Sequence, residues 1–147
     1  MVDIQALQRY ALFGGLQAEQ AAELRDRLGL ADFEAGAEIM SEGRDNDRVY
    51  FILEGRVRVA KGGRTIIELG EGETFGEMEI LEVRPATASV TALAPVRTAV
   101  LTGRALHELS TKDIRVFAIV MMNLARELAR RLRRMDELAV ASGGDRS

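Results

Sequence analysis

The stretch Gly72-Glu-Thr-Phe-Gly-Glu-Met-Glu-Ile-Leu-Glu-Val-Arg-Pro-Ala-Thr-Ala-Ser-Val90 holds the residues of this chain best suited to gripping a small molecule. Gly76 lets the backbone turn sharply, and residues 77–81 can form a helical turn whose free N–H groups suit an anion. The Glu77 carboxylate can accept a hydrogen bond from a ribose hydroxyl. The Thr87 hydroxyl and the Ala88 N–H can turn toward the same anion's oxygens. Gly-Glu beside a strand is common in loops, so the spacing alone does not specify a ligand. Charge works against an anion here: six glutamates (Glu68, Glu71, Glu73, Glu77, Glu79, Glu82) and no Lys or Arg lie between Glu68 and Val83. Apart from Glu77 they read as solvated loop charges.

Other chemistry has little to work with. The chain has no cysteine and a single histidine, His107, so thiolate metal sites, disulfides, cysteine nucleophiles and histidine-rich metal centres are excluded. No Ser-His-Asp constellation can be assembled with confidence around one histidine. Asp45 and Asp47 sit in Gly43-Arg-Asp-Asn-Asp-Arg48 without the rest of an oxygen-ligand loop, which suits a turn better than calcium. Arg126, Arg130, Arg131, Arg133 and Arg134 form a basic cluster interrupted by Glu127, Asp136 and Glu137. Ion pairs three or four residues apart account for it as a solvated helix face. No enzyme is expected.

The elements that must position Glu77 follow from periodicity. Ile4, Leu7 and Tyr10 share one helical stripe, and Ala21, Ala22, Leu24 and Leu28 mark a second helix over 18–28, which Gly29 closes. From Leu30 onward the period shortens. Apolar or alternating runs at 49–53, 57–60, 65–69, 89–92 and 96–101 are separated by glycine turns, the pattern of a small antiparallel barrel or sandwich. Gly62-Gly63 is a hairpin signal, because both residues accept the positive φ of a tight primed turn. Helical spacing returns after Leu101, with a short helix over 103–109 and a long one that Ser110 or Thr111 caps near Asp113. Ile114, Phe117, Met121, Leu124, Leu128, Met135 and Leu138 form its stripe, with Arg131 in a skipped position. That stripe suits either a second copy of the helix, giving a parallel homodimer from Asp113 to Ala141, or the chain's own barrel.

With 147 residues, one domain fits. The 47% apolar and 29% charged composition is that of a packed globular protein. No apolar run is long enough for a membrane span, and the N-terminus lacks the apolar core of a signal peptide, so no membrane contact and a cytoplasmic location are expected. The net charge of −3 does not favour nucleic acid, which recruits a basic surplus.

Four segments together carry a family likeness: Gly36…Ile39…Glu42-Gly43; Asp47-Arg-Val-Tyr-Phe-Ile-Leu-Glu-Gly-Arg-Val-Arg-Val59; Phe75-Gly-Glu-Met78; and Pro85-Ala-Thr-Ala-Ser-Val90. From about Leu16 to Leu138 the chain resembles the cyclic-nucleotide-binding domain family, of the catabolite-activator and kinase-regulatory-subunit type. The resemblance implies an α+β fold in which a jelly-roll-like antiparallel β-barrel is flanked by N-terminal helices and a long C-terminal helix. It would form one domain: helices in 1–29, a barrel in 30–102 with a phosphate-binding cassette at 75–90, helices in 103–141 and a flexible tail at 142–147. Nine residues after Leu138 leave no helix-turn-helix, so direct gene regulation by this chain alone is not expected.

The same resemblance implies a ligand site at Phe75, Gly76, Glu77, Met78, Arg84, Ala86, Thr87, Ala88 and Met135. Glu77 matches the glutamate that binds the ribose 2′-hydroxyl, and Thr87 and Ala88 match the residues after the phosphate-binding arginine. The arginine's own position is Ala86. Losing one partner of a buried charge pair typically costs about 3–5 kcal/mol, enough to turn micromolar binding into millimolar. Arg84, two residues earlier, either substitutes for the missing cation or points to solvent. Met135 and Asp136 stand where catabolite-activator-type members carry an adenine-contacting Thr-Ser pair; Met135 can pack on a purine or belong to the core or dimer seam. The expectation is a non-enzymatic regulatory module for cyclic AMP, cyclic GMP or a related ligand, with no cofactor or metal and a separate protein effector. The alternative is a ligand-free scaffold or dimerisation module.

Overall fold

The described residues form eight strands, most of them where side chains divide between two environments. They are β1 (Gly29–Phe33), β2 (Glu38–Met40), β3 (Arg48–Glu54), β4 (Val57–Lys61), β5 (Arg64–Leu69), β6 (Thr74–Phe75), β7 (Ser89–Ala92) and β8 (Val96–Thr102). The computed structural model describes residues 13–143; the helix expected around Ile4, Leu7 and Tyr10, and the end of the tail, lie outside them. The strands form two antiparallel four-stranded sheets, ordered β1-β8-β3-β6 and β2-β7-β4-β5. Among the described residues no strand pair joins the sheets, so the expected barrel is a two-sheet sandwich of jelly-roll type that does not close. At the predicted hairpin Lys61 faces Arg64, with φ of 57° and 79° at Gly62 and Gly63, the left-handed angles of a primed turn.

Strand β3 shows how the core is divided. Val49 and Phe51 point to one side and join Ala99, Leu101, Leu109, Val116, Val120 and Leu124 in a core beneath the helices. Tyr50 and Ile52 point to the other and join Val57, Leu69, Phe75, Val90 and Val100 between the sheets. A strand covered on both faces reads as a continuous apolar run, which Val49-Tyr-Phe-Ile52 is.

Among the described residues four helices flank the sandwich: α1 (Ala18–Asp26), α2 (Glu77–Glu82), α3 (Gly103–Lys112) and α4 (Ile114–Gly143). Helix α1 ends earlier than expected. Gly29 does not close it but opens β1, paired with Val100, while Arg27 anchors the helix end to Glu23 and Glu108. Helix α3 runs past 109 to Lys112, taking in Ser110 and Thr111. The cap of α4 is therefore Asp113, whose carboxylate accepts the Val116 N–H at 3.2 Å. Of the expected stripe on α4, Phe117, Met121 and Leu124 pack on the helical core and Met135 on the core between the sheets. Ile114 and Leu138 are exposed. A different line, Met122, Ala125, Ala129 and Leu132, stands in solvent along the outer face. No helix among the described residues is long and apolar enough to cross a membrane.

Candidate functional site

Gly76 is the hinge on which the site turns. Its φ is 89°, and a Cβ there would collide with the Arg48 carbonyl and crowd Asn46, so only glycine serves. The Asn46 amide donates to the carbonyls of Arg48 at 2.8 Å and Gly76 at 3.0 Å, holding the start of α2 against β3. This places Glu77, the first helical residue, inside the protein at 1% exposure.

A burial this deep needs a partner. Arg131 of α4 supplies it, donating from Nη1 to Glu77 Oε1 at 3.0 Å. Its Nη2 donates to the Thr74 carbonyl and lies 3.4 Å from Glu127 Oε1. Glu127 in turn accepts from the Thr74 N–H at 2.9 Å and the Thr74 hydroxyl at 2.7 Å. One buried network thus ties α2, β6 and α4 together, with two carboxylates to one guanidinium. Just outside it, Arg134 bonds Glu73 at 2.8 Å.

Glu77 Oε2 is buried and has no hydrogen-bond partner. Burial pushes the Glu77 carboxyl above the usual carboxylate range; Arg131 and the residue's own backbone N–H oppose this, and Glu127 and Glu79 add to it. Glu79 is raised too, chiefly by burial.

Glu77 and Arg131 form the polar end of a cavity of about 210 Å³. Met40, Val59, Ile66, Ile67, Leu69 and Val90 of the second sheet make an apolar wall, with Phe75 beside them. Gly76, Met78, Glu79, Thr87 and Ala88 form the opposite rim, and Met135 reaches in from α4. Phe75 is held by stacking on Tyr50, with centroids 4.8 Å apart. Seven of the nine expected site residues thus line one space: Phe75, Gly76, Glu77, Met78, Thr87, Ala88 and Met135. The other two do not. Ala86 is buried in the core between the sheets, its N–H bonded to the Arg44 carbonyl at 2.8 Å. Arg84 is largely exposed, lies 3.5 Å from Glu82 and borders only a shallow dent outside the cavity.

The spacing reads Arg131 and Glu127 as part of a solvated helix face; instead Glu127 is buried behind the site and Arg131 is largely covered and lines the cavity. The available signal was the skipped position itself, a charged residue where the apolar stripe of α4 calls for a core side chain. Among the described residues no cluster of His, Asp or Glu could hold a metal ion.

The fold is thus a two-sheet sandwich with a largely apolar cavity, a buried carboxylate in the cavity lining and a long helix that contributes Arg131 and Met135 to it. A family model described as the cyclic nucleotide-binding domain matches residues 30–113, and the chain belongs to that family. A CRP-like cAMP-activated global transcriptional regulator of Mycobacterium tuberculosis is 33% identical over 133 residues, 87% of this chain and 58% of that protein. The chain thus spans little more than half the length of that relative. Among solved structures, a cyclic nucleotide-binding domain from Methylobacillus flagellatus matches with a TM-score of 0.86 at 26% identity, over 95% of this chain and 81% of that one. The regulatory subunit of a cAMP-independent protein kinase A from Trypanosoma cruzi, bound to guanosine, matches with a TM-score of 0.69 at 28% identity, over 79% of this chain and 42% of that one.

Proposed function

We propose that this chain is a non-enzymatic regulatory module that holds a ribose-bearing ligand, a cyclic nucleotide or a close relative of one, in the cavity between the second sheet, α2 and α4. The observation that carries this reading is Glu77, a residue of the cavity lining whose buried Oε2 has no hydrogen-bond partner. A ligand hydroxyl donating to it satisfies a group that is costly to leave unmade. The apolar wall and Met135 suit a base. The names of the relatives support the same class, since one is activated by cAMP and another is bound to guanosine.

Occupancy reaches α4 through Arg131, which bonds the same carboxylate. A ligand that draws α2 inward shifts the balance between two positions of α4 and so changes the surface offered to a separate protein effector. A separate line on α4, Met122, Ala125, Ala129 and Leu132, is exposed at alternating spacings of three and four along the helix. This is the seam spacing of a coiled coil and fits a second copy of α4. Leu132→Asp is expected to shift the light-scattering mass from twice 16.1 kDa to the monomer; a monomeric parent protein contradicts the dimer.

The ligand reading is tested by calorimetric titration with cyclic AMP, cyclic GMP, adenosine and guanosine. At least one is expected to bind, and Glu77→Ala to abolish binding while leaving the protein folded. If none produces heat at millimolar concentration, the reading fails and a ligand-free dimerisation scaffold replaces it.

A further inference from the structure

Building on that reading, we infer that the cavity selects an uncharged ribonucleoside over the corresponding cyclic nucleotide. Three charged side chains line it, Glu77, Glu79 and Arg131, so the wall carries two acids to one base. Arg131 directs its Nη atoms to Glu77, the Thr74 carbonyl and Glu127, so its charge is shared between two carboxylates, and only the buried Nε lacks a partner. A cyclic phosphate entering this space brings a negative charge into a low-dielectric site without a free cation, and it faces Glu79 as well. Arg84, the cation of the same loop, is exposed, lies against Glu82 and is not part of the cavity wall. Ala86 carries no charge and is sealed in the core.

Hydroxyl groups meet the opposite reception. Glu77 Oε2 lacks a donor, and Glu79 offers a second carboxylate at the rim. A neutral nucleoside supplies donors to these acceptors and an aromatic base to the apolar wall, while bringing no anion to desolvate. The cavity's chemistry is that of a ribose site whose phosphate side has no charge to offer.

The test measures the affinity of the wild-type chain for adenosine, guanosine, 3′,5′-cyclic AMP, 3′,5′-cyclic GMP, 2′-deoxyadenosine and 3′-deoxyadenosine, with circular dichroism confirming that each protein sample is folded. Each ribonucleoside is expected to bind at least tenfold more tightly than its cyclic nucleotide. At least one deoxy analogue is expected to lose tenfold or more. Thr87→Arg, an exposed position on the cavity rim, is expected to bring in a guanidinium and narrow or reverse the ratio. Cyclic nucleotides that bind as tightly as the nucleosides or more so overturn this inference and leave the regulatory reading intact. Wild-type protein that binds no ribonucleoside at millimolar concentration also overturns it, and silence from every ligand removes both.

Discussion

The loop from Phe75 to Val90 has two ends that are built differently. At the Glu77 end a carboxylate is sunk to 1% exposure and locked to Arg131, with Thr74 and Glu127 completing the network. At the Arg84–Ala86 end the only cation hangs in solvent beside Glu82, and the neighbouring buried side chain is a methyl group. The first end keeps a costly buried charge and a cation to hold it, with one carboxylate oxygen, Oε2, left without a donor. The second keeps the backbone path, with the Ala86 N–H and carbonyl bonded to Arg44 and Gly43, but no charge. The difference teaches that the shape of a binding loop and the chemistry of its ligand are separable. Backbone bonds fix the first, and single side chains fix the second.

The largest break in this contrast comes from Arg131→Leu. It leaves Glu77 and Glu127 as two buried carboxylates without their shared cation, which typically costs about 3–5 kcal/mol. A fall in Tm on the order of 10 °C is expected, and an unchanged melt contradicts the network. A smaller effect is the pH response of Glu77. Its raised folded-state pKa means that the folded protein holds this proton more tightly than the unfolded chain. The resulting stability is present below the ordinary carboxylate pKa and is lost as pH rises through the raised value. Burial sets this window first; Arg131 from α4 and the residue's own backbone N–H lower it, and Glu127 from α4 and Glu79 on α2 raise it. Wild type is therefore expected to lose stability relative to Glu77→Gln across that window and to run parallel to it above. Parallel curves throughout contradict the assignment. The smallest effect belongs to the other end: Arg84→Ala is expected to change stability by no more than about 0.5 kcal/mol and leave ligand affinity unchanged. Lost binding in that variant would instead make Arg84 the phosphate anchor. Because Ala86 is enclosed, a cation is better introduced at Thr87, on the rim.

Much of this was legible beforehand, and the exceptions have physical causes. Strands β3, β4, β5, β7 and β8 show themselves as apolar or alternating runs separated by turns. Strand β6 is only two residues long, too short for any period, and exists because Phe75 and Thr74 pair with Tyr50 and Phe51. Glu77 stood out only through the Phe75-Gly-Glu-Met78 motif of the family likeness, since Gly-Glu beside a strand is common in loops. Arg131 was not legible, because a charged residue three or four positions from an acid on a helix reads the same whether solvent or a binding site covers it. Arg84 stood in an extended segment whose direction only the fold determines, and the Val83 φ of 53° sets the chain's path immediately before it.

The central claim is that Glu77 Oε2 is the ligand's acceptor. The most direct measurement follows the side-chain carboxyl ¹³C resonance of Glu77, assigned by its absence in Glu77→Gln, across pH with and without saturating adenosine. A bound hydroxyl stabilises the carboxylate, so the account expects the resonance to shift and the pKa to fall on binding. A ligand that calorimetry shows to be bound while the Glu77 resonance stays in place, or its pKa rises, contradicts the account.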